Sequence, residues 1–237
     1  MKPLRKHAGP ADNGATPVAD ADEILQIKLW LLGISPMVWR RVLVPVSYTL
    51  RELHGVFQVA MGWEGFHLFQ FSLRATYCGS AAMSSADVTL AALRLRKGAR
   101  FLYEYDLNIP WRHGVRIEDR LVPQKKTNYP QCVAGAGYCP PEDCDDPAGF
   151  TGRGDDLLTR DVLEDLDTMV DILGPIVREL EFERPPPVLD DETRWRLEQA
   201  IDRTQAREDA RGIPFSRHSV NERLRDGEHR ELMHQHY

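Results

Sequence analysis

The sequence predicts an α+β fold: a mixed, largely antiparallel sheet with an early flanking helix and a C-terminal helical region. Three observations support this fold class. Several segments rich in branched and aromatic residues have the composition of strands, a well-capped helix interrupts them early, and a long amphipathic helical pattern follows them.

The strand segments begin with a pair that predicts a hairpin. Residues 24–34 (ILQIKLWLLGI) and 37–46 (MVWRRVLVPV) are separated by Ser35-Pro36, so we expect them to pair antiparallel. Three later segments, 66–74 (FHLFQFSLR), 99–107 (ARFLYEYDL) and 113–122 (HGVRIEDRLV), have the alternation or aromatic content of further strands.

The early helix carries its own start and stop signals. Thr49 and Glu52 have the spacing of a capping box, in which the hydroxyl accepts a free helix N–H and the carboxylate reaches back. Apolar residues then recur at helical spacing, and Gly62 is suited to end the helix.

The chain divides into three predicted parts. Residues 1–22 are polar and aperiodic, which predicts a disordered lead-in, and 23–154 form the α+β domain. Residues 155–237 form a helical region with a proline-rich linker at 184–189. An apolar stripe marks its first helix, and Gly174-Pro175 is expected to break or kink that helix.

Charge is unevenly distributed along the chain. Residues 1–130 hold 17 Lys and Arg against 11 Asp and Glu, whereas residues 131–237 hold 13 against 25. The basic half is compatible with a nucleic-acid surface and the acidic half with a solvated helix face. No apolar run is long enough to span a bilayer and no export signal is present, which predicts a cytoplasmic protein with no membrane partner.

A cysteine-rich stretch, YPQCVAGAGYCPPEDCDD at 129–146, raises the question of a metal site. Cys132, Cys139 and Cys144 are spaced more loosely than the Cys-x2-Cys pairs of structural zinc, and a fourth ligand, His113 or Cys78, would have to come from elsewhere. We therefore expect a packed structural loop with Cys132 and Cys139 partly buried and Cys144 more exposed. No cofactor is favoured; zinc is the metal that this loop would take.

Three ordered motifs carry a resemblance to a known family. TLRELHGVFQVAMGWEGFHLFQF, YEYDLNIPWRH and YPQCVAGAGYCPPEDC resemble the plasmid ORF-three-like family first described on the hairy-root Ri plasmid. FSRHSVNERL near the C-terminus is similar to the closing segment of that family. Many members travel with transposons and carry a resolvase-like label. The resemblance implies an α+β fold with a mixed sheet, but no established activity.

The sequence departs from the family pattern where a site would be. The family usually has Phe-Gly-Asp between its Tyr-Asp and Trp-x-His, whereas residues 107–110 here are Leu-Asn-Ile-Pro. A Gly-Gly pair is replaced by Asp145-Asp146, and the His-Leu-His pattern survives only as His67-Leu68-Phe69.

Eight residues of these motifs, together with His54, are candidates for a common cleft, because they lie at element ends where sites are built. The eight are Trp63, His67, Tyr105, Asp106, Trp111, His113, Glu142 and Asp143. Imidazole and carboxylate would serve there as base and orienting group. The aromatic members suit a core equally well, so an enzyme with a His/carboxylate cleft of unknown substrate is the alternative and not the favoured reading.

Recombinase chemistry has no support in the sequence. Neither a serine nucleophile among arginines near the N-terminus nor a C-terminal Arg/His set around a tyrosine is evident, and GAGYC lacks the setting of a phosphate cradle.

The favoured function is a binding or accessory factor associated with mobile DNA, with DNA or a mobile-element protein as partner. Six basic residues are candidates for phosphate contacts: Arg94, Arg96, Lys97, Arg100, Lys125 and Lys126. A protein-binding module that uses the acidic helix is a further alternative. The oligomeric state is not readable from the sequence.

Overall fold

A computed structural model describes most of the chain. The described residues are 23–80, 84–142, 144, 147, 149–150 and 160–234. The predicted lead-in at 1–22 and the candidate Asp143 lie outside them.

Seven strands form one open sheet. They are β1 (Ile24–Leu31), β2 (Trp39–Pro45), β3 (Phe69–Leu73), β4 (Thr76–Gly79), β5 (Arg100–Tyr105), β6 (Trp111–Leu121) and β7 (Gln131–Ala136). Their order is β4-β3-β5-β6-β1-β2-β7. Each pairing of neighbours is antiparallel, so the predicted α+β class with a largely antiparallel sheet is confirmed.

The described residues include six helices, five of which fall into two packed groups. They are α1 (Leu50–Met61), α2 (Leu90–Leu93), α3 (Arg160–Glu181), α4 (Asp191–Arg211), α5 (Arg217–Asp226) and α6 (Glu228–Glu231). Helices α1, α5 and α6 contact one another, and α5 packs on β7. Helices α3 and α4 pair with each other.

The early helix has the predicted ends. The Thr49 side chain accepts the Glu52 N–H and the Glu52 carboxylate accepts the Thr49 N–H, which confirms the capping box. Gly62 adopts φ 97°, a left-handed conformation that favours glycine, and ends the helix. Local sequence alone is therefore sufficient to define α1.

The core lies on one face of the sheet. Along β1 and β2 burial alternates from residue to residue, so one side chain in two enters the core with α1. Phe57 of α1 packs edge-on against Tyr103 of β5 at 5.3 Å between ring centroids. The opposite face of the sheet holds the alternate, more polar set of side chains.

Three details differ from the sequence prediction. β4 was not predicted, and the cysteine-rich stretch is not only a loop, because Gln131–Ala136 pairs with β2 as the edge strand β7. Pro175 lies inside α3, so the helix is not broken there. None of the helices among the described residues is both long and apolar enough to cross a bilayer.

Candidate nucleic-acid interface

The predicted cleft residues meet in a packed cluster. The Trp63 ring stacks on Tyr105 at 5.0 Å and meets His113 edge-on at 5.4 Å, and Trp111 lies 6.2 Å from Trp63. The relative exposure of all four is at most 1%. The structure therefore brings these residues together as part of the core, where substrate has no access.

His67 and Asp106 lie at the edge of this cluster. His67 Nδ1 is 3.9 Å from Asp106 Oδ2, and the His67 ring meets Tyr105 edge-on. Asp106 also accepts the Asn108 N–H at 3.1 Å, which stabilises the β5–β6 turn. Asp106 thus supports local structure, and His67 is the more exposed of the pair.

Glu142 fastens the cysteine-rich stretch to the loop that follows α1. Its carboxylate accepts the backbone N–H groups of Glu64, Gly65 and Phe66 at 2.7, 3.0 and 3.1 Å, and the Tyr105 hydroxyl donates to it. The pKa of Tyr105 is raised above its usual range, mainly by burial and secondly by the hydrogen bond to Glu142. The Glu142 carboxylate is thus occupied by four donors.

Replacing Glu142 with Ala is expected to lower the free energy of unfolding by about 2 kcal/mol, because three N–H groups and one hydroxyl lose a charged acceptor. Urea unfolding of Glu142→Ala and of the control Glu198→Ala, an exposed carboxylate on α4, measures the difference. Equal unfolding midpoints for the two variants would contradict this role.

The cysteines are buried free thiols. Cys132 and Cys139 have a relative exposure of 0% and Cys144 of 7%. Cys144 is therefore the most exposed of the three, as predicted, but all three are buried and contribute to the core. Burial raises the pKa of Cys132 to about 11 and raises that of Cys139 further. Among the described residues no group of three or more His, Cys, Asp or Glu side chains is placed to hold a metal ion.

The outer face of the sheet carries a row of cations. In the strand register Arg100 lies opposite Arg116, Arg116 opposite Lys28, and Lys28 opposite Arg41. The four side chains thus cross β5, β6, β1 and β2 in one line, which spans about 14 Å at the usual strand spacing. Arg100 and Arg116 are exposed, and none of the described carboxylates forms an ion pair with either.

A tryptophan pair lies in the next row of the same face. Trp30 is opposite Trp39 and also opposite Gly114. A Cβ atom on Gly114 would lie 2.3 Å from Trp30 Cζ2, so the indole lies against the β6 backbone and needs glycine there. Lys28 Nζ lies 4.8 Å from the centroid of the Trp39 ring, and Arg41 Cζ lies 5.3 Å from it.

The face is basic even after its ion pairs are counted. Glu118 accepts from Arg41 at 3.0 Å, and this bond holds the Glu118 pKa below its usual range. Glu104 accepts from Arg112 at 3.1 Å. The four cations of the row and Arg112 therefore outnumber their carboxylate neighbours Glu118 and Glu104, and Asp119 at the end of this face pairs with Lys97.

Of the predicted phosphate contacts, only Arg100 belongs to this row. Arg94, Arg96 and Lys97 precede β5, and Lys97 pairs with Asp119 at 2.9 Å. Lys125 and Lys126 follow β6. Because β5 begins beside the end of β6, both groups lie at the same end of the sheet.

Lys126 also lines a cleft of about 780 Å³ at the β7 edge, together with Arg217 and Arg225 of α5. This cleft extends the basic character of the sheet end towards α5. Its other lining groups include Asn128, Gln131 and Asn221.

Sequence analysis missed Lys28, Trp30, Trp39, Arg41, Arg112 and Arg116. A signal was present, because every second residue of a strand lies on the same face: Lys28 and Trp30 alternate with buried neighbours along β1, and Trp39 and Arg41 do so along β2. The position of Arg116 beside Lys28 depends on a pairing between distant segments.

The sequence pattern of the plasmid pRiA4b ORF-3-like proteins matches residues 23–184, which is more than half of the chain. The chain belongs to the plasmid pRiA4b ORF-3-like family. A relative from Sinorhizobium fredii (strain NBRC 101917 / NGR234), the uncharacterised protein y4hQ, is 35% identical over 135 residues, which are 54% of this chain and 69% of the relative. The crystal structure of a protein of unknown function from Methanosarcina mazei Go1 superposes with a TM-score of 0.55 at 27% identity, covering 72% of this chain and 96% of that one.

The geometry explains why the recognisable segments of this pRiA4b ORF-3-like protein have their order and spacing. Trp63 from the first segment donates its Nε1–H to the Pro140 carbonyl of the third at 2.8 Å, and Tyr105 of the second donates to Glu142 of the third. The three segments are therefore parts of one packed cluster. The closing segment contributes Asn221, which bonds the Cys132 N–H and C=O, both at 2.8 Å, and so holds β7.

Proposed function

We propose that this pRiA4b ORF-3-like protein binds single-stranded DNA across the outer face of its sheet, as a cytoplasmic accessory factor of mobile DNA. The observation that carries the proposal is the in-register row Arg100–Arg116–Lys28–Arg41 beside the Trp30–Trp39 pair. A surface that binds single strands has two parts. Its cations follow the phosphate backbone, and its aromatic rings stack with the bases.

Like-charge repulsion within the sheet supports this reading. Cations directly opposite one another across strands destabilise a sheet, and Arg116 has one on each side, Arg100 and Lys28. This arrangement therefore does not stabilise the fold. A polyanion laid along the row would offset the repulsion, and each phosphate contact would release counterions.

The tryptophans favour an unpaired strand over a duplex. Phosphates of a duplex are reached by cations alone, whereas an indole contributes only where bases are unstacked and turned towards it. Trp30 and Trp39 are partly exposed on the same face and within one strand repeat of the cations.

Arg116→Glu is expected to weaken binding of a fluorescent oligothymidylate about 10-fold and to reduce the slope of log affinity against log salt by about 0.7, because one phosphate contact is lost and a repulsive charge is added. Fluorescence anisotropy at several salt concentrations measures both. The variant should fold normally, since Glu between Lys28 and Arg100 forms opposite-charge cross-strand pairs.

The matched control is Arg196→Glu, an exposed position on α4 with the same change of charge. Trp39→Ala is expected to weaken binding about 10-fold through lost stacking and with no change of the salt slope. The proposal fails if the wild-type protein does not bind at low salt, or if Arg116→Glu behaves like Arg196→Glu. It also fails if only Lys125→Glu with Lys126→Glu abolishes binding, since the contact would then lie at the end of the sheet.

A further inference from the structure

Helix α3 exposes an apolar stripe of unusual regularity. Leucine and valine recur at intervals of three and four residues: Leu163, Leu166, Val170, Leu173, Val177 and Leu180. Their relative exposures run from 37% to 67%. We call these six residues the α3 seam.

The seam is not the side of α3 that packs on α4. That side centres on Asp165, which is buried and bonded to Arg203 at 3.0 Å; Arg207 also donates to it. Among the described side chains of α3 and α4, Asp165 and Ala200 are the buried ones. Beside Asp165 the apolar residues Val162, Met169, Ile172 and Ile176 are half-buried, whereas all six residues of the α3 seam are exposed.

The period of the seam identifies the kind of partner. Apolar residues that alternate three and four apart repeat every 3.5 residues, which is the signature of a helix that packs along a second helix, whereas a helix lying on a sheet keeps a wider stripe of period 3.6. Pro175 falls on the side of α3 opposite the seam, so its missing N–H does not interrupt the contact surface.

We propose that the α3 seam is a dimer interface, in which α3 pairs antiparallel with α3 of a second copy of the chain. Reversal about the centre of the seam matches each member with another: Leu163 with Leu180, Leu166 with Val177, and Val170 with Leu173 of the second copy. A two-fold contact of this kind is self-complementary, so formation of one dimer buries the whole seam of both copies.

The centre of the seam has the shape for this pairing. A groove of about 400 Å³ runs along α3 between Met169 and Glu181, lined by Val170, Leu173 and Val177. Gly174 forms part of its floor, and a Cβ atom added there would have no neighbour within 4 Å. In the antiparallel dimer Val170 and Leu173 of one copy enter this groove of the other.

Charge beside the seam is compatible with the second copy. Asp167 flanks the seam one helical turn from its start, and reversal places it level with Ile176 and within one turn of Gly174 of the second copy, so it meets no carboxylate there. The helix pair of each copy then contributes to a four-helix bundle, which buries the apolar surface that a two-helix hairpin leaves open.

Sedimentation of the full-length chain over a range of micromolar concentrations tests the interface. We expect a dimer for the wild-type protein and a monomer for Leu166→Glu with Val170→Glu, which places four carboxylates in the seam of a dimer. The control Arg196→Glu changes the net charge by the same two units but lies outside the seam, and it should remain dimeric. A wild-type monomer at every concentration, or a dimer that survives the seam variant, overturns the proposal.

Disulfide crosslinking tests the direction of the helices. Leu163 and Leu180 are 17 residues apart, about 25 Å along the helix, so a single cysteine at either position cannot reach its copy in the antiparallel dimer. The double variant Leu163→Cys with Leu180→Cys is expected to form a covalent dimer under oxidation, and Leu163→Cys alone to stay uncrosslinked. A crosslink through Leu163→Cys alone would refute the antiparallel arrangement.

Discussion

Acidification from pH 7 to pH 5 is expected to lower the free energy of unfolding by about 4 kcal/mol, because two buried histidines must stay neutral in the folded protein. His54 and His113 have a relative exposure of 0%, and burial lowers the pKa of each to about 3. In the unfolded chain they titrate near the usual value of about 6.5.

The direction follows from proton binding. Between pH 6.5 and pH 3 the unfolded chain binds protons at both imidazoles and the folded chain does not, so each unit of acidification favours unfolding. Each group contributes about 2 kcal/mol between pH 7 and pH 5. His229, whose pKa is also lowered by burial, acts in the same direction.

The surroundings of the two rings explain the size of the effect. His54 stacks on Phe69 at 3.8 Å between centroids, and its Nδ1 lies 2.7 Å from the Tyr103 hydroxyl oxygen. His113 donates its Nδ1–H to the Trp111 carbonyl at 3.0 Å. Neither ring lies beside a carboxylate in these contacts, so a second proton would place a charge among aromatic side chains.

Urea unfolding at pH 7, 6 and 5 measures the slope of stability against pH. His113→Gln keeps an N–H donor without a titrating ring and should remove close to half of the slope. The control His218→Gln, at a side chain that is 81% exposed, should leave the slope unchanged. Carboxylates with lowered pKa, such as Glu118, titrate below this window. An unchanged slope in His113→Gln would show that the ring is not the source.

Elements set by local interactions were predictable from the sequence. Helix α1 begins and ends where Thr49, Glu52 and Gly62 indicate, because caps involve residues within one turn. Strands β4 and β7 were missed, since Thr76–Gly79 is short and Gln131–Ala136 holds glycine and alanine, which have low strand propensity. Pairing with β3 and β2, which comes from the fold, makes them strands.

The candidate interface depends still more on distant pairing. Lys28 and Arg116 are neighbours only because β1 inserts between β6 and β2, and no local pattern specifies that order. The sequence analysis grouped Trp63, Tyr105 and Glu142 as candidates for one cleft, and the structure places them in one packed cluster; the sequence does not distinguish such a cluster from an open cleft. The distinction comes from the structure, in which the aromatic rings are buried and the Glu142 carboxylate already accepts from four donors.

Replacing Arg40 with Met is expected to lower the free energy of unfolding by about 3 kcal/mol or more, because it removes a buried donor that several carbonyls share. Arg40 has a relative exposure of 1%, and its guanidinium donates to Ala60 O at 2.8 Å and to Ala136 O at 2.8 Å. It also bonds the Trp39 carbonyl at 2.9 Å and stacks on the Phe215 ring at 4.5 Å.

The charge is stabilised without a carboxylate in these contacts. Ala60 lies in the last turn of α1, where the helix dipole favours a cation, and Ala136 ends the edge strand β7. Burial lowers the pKa of Arg40 from its very high usual value, and the carbonyls keep the charged form satisfied. Arg40 therefore joins α1, β7 and the C-terminal segment at one point.

Met fills much of the volume of the arginine stem but donates nothing, so the Arg40→Met variant leaves the Ala60 carbonyl buried without its partner. Urea unfolding of Arg40→Met and of the control Arg112→Met, whose side chain is 62% exposed, measures the difference. We expect a loss below about 1 kcal/mol for Arg112→Met, as is usual for an exposed ion pair. Similar losses in the two variants would show that the carbonyls find other donors and that Arg40 is not the group that joins these elements.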